Sequence, residues 1–330
     1  MTTDTHQGIM HVPAGEGQRV AIGPGTTIFK LVSADTANAM ALWEGIVPPG
    51  FSTPPPHAHP QSETFYLLEG ELAFTGISQD GPFTFRSGPG ATVHIPGGAP
   101  HQFVNIGMIP ARVLTITMPG GLERFLAAFA AVLPAGMPPD AAMADPRVRE
   151  QVAALDARFG VGYVHTDDPT ALSTDKNIVH VPAGEGAAIS VGRGTNTVTL
   201  DGADTNGEMT IVEGVFPPGS GSPPLHTHVE AETFTLFEGE VEFTGATDRH
   251  PYTFRVRPGD VVHVPPRTPH QFAIVGTASA RGMVIVTPGG FERYLAEMAT
   301  ATRPDGSRDT EQVRAIAVKY GVEYVRLPGR

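Results

Sequence analysis

The stretch HAHPQSE, residues 57–63, places two imidazoles two residues apart and a carboxylate four residues beyond the second. Residues i and i+2 of a strand face the same side, so His57 and His59 point together, and Glu63, two strand steps past His59, reaches the same space. A third imidazole, His101, follows in IPGGAPHQF. The set recurs as His226, His228 and Glu232 in HTHVEAE, with His270 in VPPRTPHQF. Three imidazoles and one carboxylate suit a divalent transition metal: Fe, Mn, Co, Ni, Cu or Zn. Four protein ligands leave one or two positions where a substrate and O2 can enter. A lone HxH is a weak signal. Here all eight positions agree between the copies, while neighbours have changed: Trp43 against Val212, Gln61 against Glu230, Tyr66 against Thr235.

The elements that position these residues are themselves duplicated. His57 and His226 lie 169 residues apart, and the same offset carries IMHVPAGEG (9–17) onto IVHVPAGEG (178–186) and GGLERFLAAFA (120–130) onto GGFERYLAEMA (289–299). That period is too long for a solenoid and describes two domains of one fold. The register then slips: FGVGYV (159–164) matches YGVEYV (320–325), 161 residues on. The expected division is an N-terminal domain 1–165, a polar linker 166–177 and a C-terminal domain 178–330. In each copy, aromatic and β-branched runs are cut by Gly and Pro, as in TFYLLEGELAFTG, where Glu-Gly marks a hairpin. Such short strands predict a mainly β sandwich or barrel. Helical periodicity follows. LERFLAAFAAVL puts Leu122, Phe125, Leu126 and Phe129 on one face, and Asp145-Pro146 opens a second helix, both expected on the outside of the barrel or at a domain contact.

Bulk properties narrow the partners. A net charge of −12 argues against nucleic acid and anionic membranes. No cysteine is present, which excludes disulfides, thiolate ligands and cysteine nucleophiles. With no apolar run of membrane length and no secretory start, the expected location is cytoplasmic. Among the other repeated residues, His94 and His263 alternate with Val and Ile and suit either a pocket wall or the barrel exterior. His11 and His180 open their copies and suit contact with the neighbouring domain. Gln102 and Gln271 receive no role, Phe65, Phe74, Phe103, Phe234, Phe243 and Phe272 read as core, and Glu123 and Glu292 read as structural carboxylates in a helix's first turn.

HAHPQSETFYLLEG (57–70) and PGATVHIPGGAPHQFVN (89–105), with HTHVEAETFTLFEG (226–239) and PGDVVHVPPRTPHQFAI (258–274), resemble the two cupin motifs. The chain is identified on these as a member of the bicupins. That resemblance implies two tandem double-stranded β-helix (jelly-roll) barrels with C-terminal helices and one metal per cupin domain. It implies His57, His59, Glu63 and His101, and likewise His226, His228, Glu232 and His270, as ligands. SPPLHTH, ETFTLFEGEVEFTG and the GGFERYL segment are similar to the flavonol (quercetin) 2,3-dioxygenase group. In that group four residues separate the second His from Glu, whereas both copies here have three. The resemblance implies an enzyme that opens a flavonol ring with O2 and releases CO, with Glu63 or Glu232 as the base. The alternatives are a bicupin metalloenzyme on another enol, diketone or polyketide-like substrate (oxygenase, isomerase, cyclase or decarboxylase), and a non-catalytic ligand-binding bicupin. The N-terminal site, with Trp43 and Tyr66, is expected to be the better aromatic pocket. The exposed face of the terminal strands can support a homodimer.

Overall fold

Runs of β-branched and aromatic residues, too short for anything but strands and bounded by Gly and Pro, pair antiparallel throughout. The computed structural model describes residues 4–6, 8–78, 80–164, 177–247, 250–303 and 307–326. The linker expected at 166–177 lies, but for residue 177, outside these.

The unit Gly17–Gly184 has two sheets. The seven-stranded sheet runs in the order Val179–Val181, Thr92–Ile95, Ser62–Glu69, Ala111–Met118, Ala41–Val47, Gly25–Leu31, Gln18–Ile22. The five-stranded sheet runs Gly162–Tyr163, His57–Ala58, His101–Asn105, Leu72–Ser78, Gly81–Ser87. The second unit joins Met1–Glu16 to Glu185–Arg330 and repeats this plan, with eight strands and five. Each is a jelly-roll barrel. Phe65, Leu67, Leu72, Phe74, Val93 and Ile95 fill one interior, and Leu236, Val241, Phe243, Val262 and Val264 the other. The Glu-Gly hairpins hold because Gly70 and Gly239 take φ of +80° and +83°. A Cβ on either would lie 2.7 Å from the Cα of Ala111 or Ala280.

The compact units cut across the repeats. Ile9–Val12, first-repeat residues, pairs with Val261–Val264, and Val179–Val181 pairs with Thr92–Ile95. His11 Nε2 is 2.9 Å from Asp260 Oδ2, and its ring stacks on Phe254. His180 Nε2 is 3.0 Å from Ser87 Oγ, and its ring stacks on Phe85. Ile9 is fully buried in the second barrel's core.

The helix Leu122–Val132 packs Leu122, Phe125 and Phe129 on Phe29 and Trp43 of the larger sheet. The helix Phe291–Thr300 sets Tyr294, Leu295 and Met298 on Val198 and Val212. Asp145 caps its helix by accepting from Arg147 N at 2.8 Å. Glu123 is a structural carboxylate, as its place in the helix's first turn suggests: it is 3% exposed, and its oxygens accept from Ser33 N and Gly121 N at 3.1 and 2.7 Å. Glu292 accepts from Thr210 Oγ1 at 2.6 Å. Among the described residues no helix is long and apolar enough to cross a membrane.

His94 and His263 sit neither on a cavity wall nor on the exterior. Both are buried within the sheet interior, with Nδ1 at 2.8 and 2.9 Å from the hydroxyls of Thr64 and Thr233. Burial lowers each to about 4. A histidine whose folded pKa lies below the unfolded value keeps its full contribution above about 6.5 and loses it as pH falls toward about 4. Each therefore withdraws roughly 3 kcal/mol of stability across that window. Denaturant unfolding of metal-stripped wild type and His94→Gln at stepped pH will show the variant's stability falling less steeply below pH 6.5; parallel curves would remove His94 from the acid response.

Candidate metal centres

His57 and His101 are directly opposed in the smaller sheet of the first barrel, as His226 and His270 are in the second. Glu63 comes from the larger sheet, on the strand Ser62–Glu69, and Glu232 from Ala231–Glu238. Each centre thus sits where the two sheets face each other. His59 lies just beyond the strand His57–Ala58 and is pinned by Gly98 N, which donates to its carbonyl at 2.7 Å. Arg267 N makes the same bond to His228 O, from a φ of 59° that glycine takes more easily at Gly98.

The ring nitrogens of His57, His59 and His101 lie within 4.8 Å of one another, and so do those of His226, His228 and His270. Glu63 Oε2 stands 3.0 Å from His101 Nε2 and 3.5 Å from His59 Nε2. Glu232 Oε2 stands 3.1 and 3.7 Å from the Nε2 atoms of His270 and His228. The three-residue interval therefore leaves each carboxylate beside two of its three imidazoles. All eight expected residues come together, four to a barrel.

Four imidazoles have their outer nitrogen engaged. Nδ1 of His57, His101, His226 and His270 donates to the carbonyls of Pro55, Ala99, Pro224 and Thr268 at 2.9–3.2 Å. That fixes the tautomer and turns the Nε2 lone pair inward, the arrangement of a metal-binding histidine. Burial, then the neighbouring His101 or His270, lowers His57 and His226 to about 3, so both are neutral near pH 7. Burial alone would raise Glu63 and Glu232. The imidazoles beside them outweigh it and hold both below the ordinary carboxylate range. Nε2 of His228 is buried with no hydrogen-bond partner, and Nε2 of His270 faces the carboxylate of Glu232. Converging buried acceptors without donors are costly, and a divalent cation is what such a donor set accommodates. The residues fit the metal.

The two centres differ behind His59 and His228. Glu230 Oε2 lies 3.3 Å from His228 Nδ1, within ion-pair range. Nδ1 of His59, like Nδ1 of His228, is buried without a hydrogen bond, but at the first centre Gln61, whose Oε1 is buried without a partner too, stands in the place of Glu230. Burial would lower His228, but Glu230 and then Glu232 raise it to about 10.

Each centre opens into a largely apolar cavity, of about 140 Å³ in the first barrel and about 160 Å³ in the second. The first is walled by Trp43, Phe51, Phe65, Phe103, Phe125 and Phe129. Tyr66, expected beside Trp43, is buried but forms no part of this wall, because its neighbour Phe65 takes the inward face of the strand. Phe65 and Phe103 serve as core and wall together. The face Leu122, Phe125, Leu126, Phe129, expected to lie against the barrel's outside, lines the cavity. Phe291, Tyr294, Leu295 and Met298 do the same in the second barrel. Tyr294 and Arg308 are the wall residues that sequence reasoning missed. The Phe-to-Tyr change between two aligned helices was the available signal for the first. Gln102 ties the sheet to the Ser52–Thr53 segment, its Nε2 donating to Ser52 Oγ at 3.0 Å and to Thr53 O at 3.4 Å.

The cupin domain family matches the chain twice, over residues 43–117 and 212–286. The quercetin 2,3-dioxygenase of Bacillus subtilis strain 168 is 24% identical over 300 residues, 86% of this chain and 83% of that protein. Among solved structures, a Bacillus subtilis oxalate decarboxylase studied for its Mn(II) centres superposes with a TM-score of 0.57 at 17% identity, over 96% of this chain and 89% of that one. The Lactobacillus farciminis oxalate decarboxylase in complex with formate gives 0.57 at 17% identity, over 84% and 86%.

Titration of the metal-stripped chain with Mn(II), read by calorimetry and by EPR, will fill two sites. Glu230→Gln will weaken the second-barrel site about 10- to 100-fold and leave the first unchanged. An unaltered isotherm would remove Glu230 as the partner that orients His228.

Proposed function

We propose that this chain, which the cupin domain family matches twice, is a bicupin and a metal-dependent dioxygenase that opens the central ring of a quercetin-like flavonol with O2 and releases carbon monoxide. The observation that carries this reading is the character of the cavity at the first centre. Aromatic and aliphatic side chains surround three imidazoles and one carboxylate, and no Arg or Lys lines the space. A flat apolar substrate is matched there. A small dianion would lose its hydration without a cationic partner. The similarity to a quercetin 2,3-dioxygenase along most of both chains supports the same reading.

In this proposal His57, His59 and His101 with Glu63, and His226, His228 and His270 with Glu232, hold one divalent metal each. When bound, the metal supplies Lewis acidity that lowers the pKa of a substrate hydroxyl. The chain's own residues do the rest. Glu63, ionised and shielded from solvent, takes the proton of the flavonol 3-hydroxyl; its position beside His101 and His59 keeps it in reach of the centre. Trp43, Phe103, Phe125 and Phe129 stack against the rings and exclude water. The electron-rich enolate combines with O2. Both oxygen atoms remain in the ring-opened product, and one ring carbon leaves with its oxygen as carbon monoxide. The first centre, with Trp43 in its wall, is the aromatic site. A second reading, a bicupin enzyme on another enolic substrate, is favoured at the second centre by polar groups in its wall.

Oxygen uptake on adding quercetin to protein reloaded separately with Mn, Fe, Co, Ni or Cu tests the proposal. At least one form will consume O2 and bleach the flavonol, with CO in the headspace. His57→Ala with His59→Ala will abolish most of the turnover, and Glu63→Gln will lower kcat by about 100-fold or more. No uptake in any form that carries its metal would reject the flavonol assignment.

A further inference from the structure

The two cavities share their imidazoles, their carboxylate and much of their apolar wall, but the first has its phenol at Tyr163, turned to Asp156 at 3.5 Å, and the second has a phenol on its helix and a guanidinium. Tyr294 occupies the place of Phe125, and Arg308 joins the wall, whereas the first cavity is lined by no cationic side chain. Tyr294 is 7% exposed and lines the cavity. Its ring is fixed between Phe291 and Tyr320, at 5.3 and 5.6 Å. A phenol held this firmly on a cavity wall presents a donor to an acceptor inside it. Arg308 is anchored through its backbone by the bridge to Thr302 and by its carbonyl, which accepts from Arg303 at 3.4 Å. Its guanidinium forms no ion pair among the described residues, although the neighbouring Arg303 pairs with Asp309 at 3.4 Å. A guanidinium on such a wall supplies planar donors suited to an anionic oxygen.

These two groups share the cavity with the second metal centre. Tyr294 lies within electrostatic reach of both Arg308 and Glu232. Burial, then Tyr324, pushes the phenol up to about 12, so it remains a donor throughout the physiological range. Val212, Phe234, Leu295 and Met298 make much of the remaining wall apolar, and Asn196, Ser222 and Thr235 also line it. A ligand matched to this space has a hydrophobic body, an enolic or keto oxygen for the imidazole end and a carboxylate for Tyr294 and Arg308.

We propose that the second cupin site selects a carboxylate-bearing enolic or 2-keto acid through Tyr294 and Arg308, while the first selects an uncharged aromatic enol. This deepens the metalloenzyme reading at the second centre and rests on that reading for the metal, but not on flavonol turnover.

The test uses the full chain loaded with Mn(II) in two forms. One keeps only the second centre (His57→Ala with His59→Ala), the other only the first (His226→Ala with His228→Ala). Phenylpyruvate, an enolisable 2-keto acid, and 3-hydroxyflavone, an uncharged enol, are titrated into each, with binding read by calorimetry and by the Mn(II) EPR line shape. The expected result is tighter phenylpyruvate binding to the form with the second centre and tighter 3-hydroxyflavone binding to the other. In the second-centre form, Arg308→Gln and Tyr294→Phe will each weaken phenylpyruvate about tenfold or more, and Arg308→Lys will recover part of the loss. Tyr294→Phe reproduces the residue already present at position 125, so its folding is secure. Equal affinity of phenylpyruvate for the two forms, or no loss in Arg308→Gln, overturns the proposal. Failure of quercetin turnover with Arg308-dependent phenylpyruvate binding intact would instead remove the flavonol reading and leave this one standing.

Discussion

Everything in each barrel answers to one unfavourable arrangement: three imidazole nitrogens and a carboxylate brought within a few ångströms of each other, out of water. Left to themselves such groups would turn toward solvent or toward separate donors. They stay because each is held from behind. Carbonyls of Pro55 and Ala99 receive the outer nitrogens of His57 and His101, the backbone of Gly98 grips His59, and the strand register brings Glu63 across from the opposing sheet. The same supports recur around His226, His228, Glu232 and His270. The jelly roll is useful here because two sheets closed face to face let residues distant in sequence meet without any irregular backbone crossing the interior.

Much of this could be read before any coordinates. The alternation in HAH, the Glu that follows and the distant PHQF gave the centres, because strand geometry converts spacing into direction. The duplication strengthened that reading, since eight matching positions among diverged neighbours are hard to explain otherwise. What escaped was set by tertiary packing. Which of Phe65 and Tyr66 faces the cavity depends on the absolute register of a strand buried on both sides, where both residues are apolar enough to fit either face. The helix Leu122–Val132 announced an apolar stripe, but a stripe does not say whether it covers a sheet or walls a cavity; here it does both. Arg308 lies beyond the point where the repeats lose register, so comparison of the copies had no partner to set beside it.

Duplication has left two centres alike in their ligands and unlike in their surroundings. Trp43 against Val212, Gln61 against Glu230 and Phe125 against Tyr294 are single changes in matching places. One alters the shape of a wall, one the support of a ligand, and one the polarity a substrate meets. The imidazoles and carboxylates are the same in both copies. The walls tolerate change, because an apolar cavity keeps its form when one side chain is exchanged for another of similar volume.

The exchanged strands change what the word repeat means for this chain. A substitution at Ile9 belongs to the first copy by sequence, yet the residue fills the core of the second barrel. Ile178, from the second copy, packs into the core of the first. Heredity and architecture are therefore offset: one strand passes from the second copy to the first barrel, and two pass from the first copy to the second barrel. A gene split at the repeat boundary would leave each fragment holding outer strands of its sibling, and neither product would carry a complete barrel. The two cupins can diverge in their pockets, as they have, but they are inherited as one indivisible object.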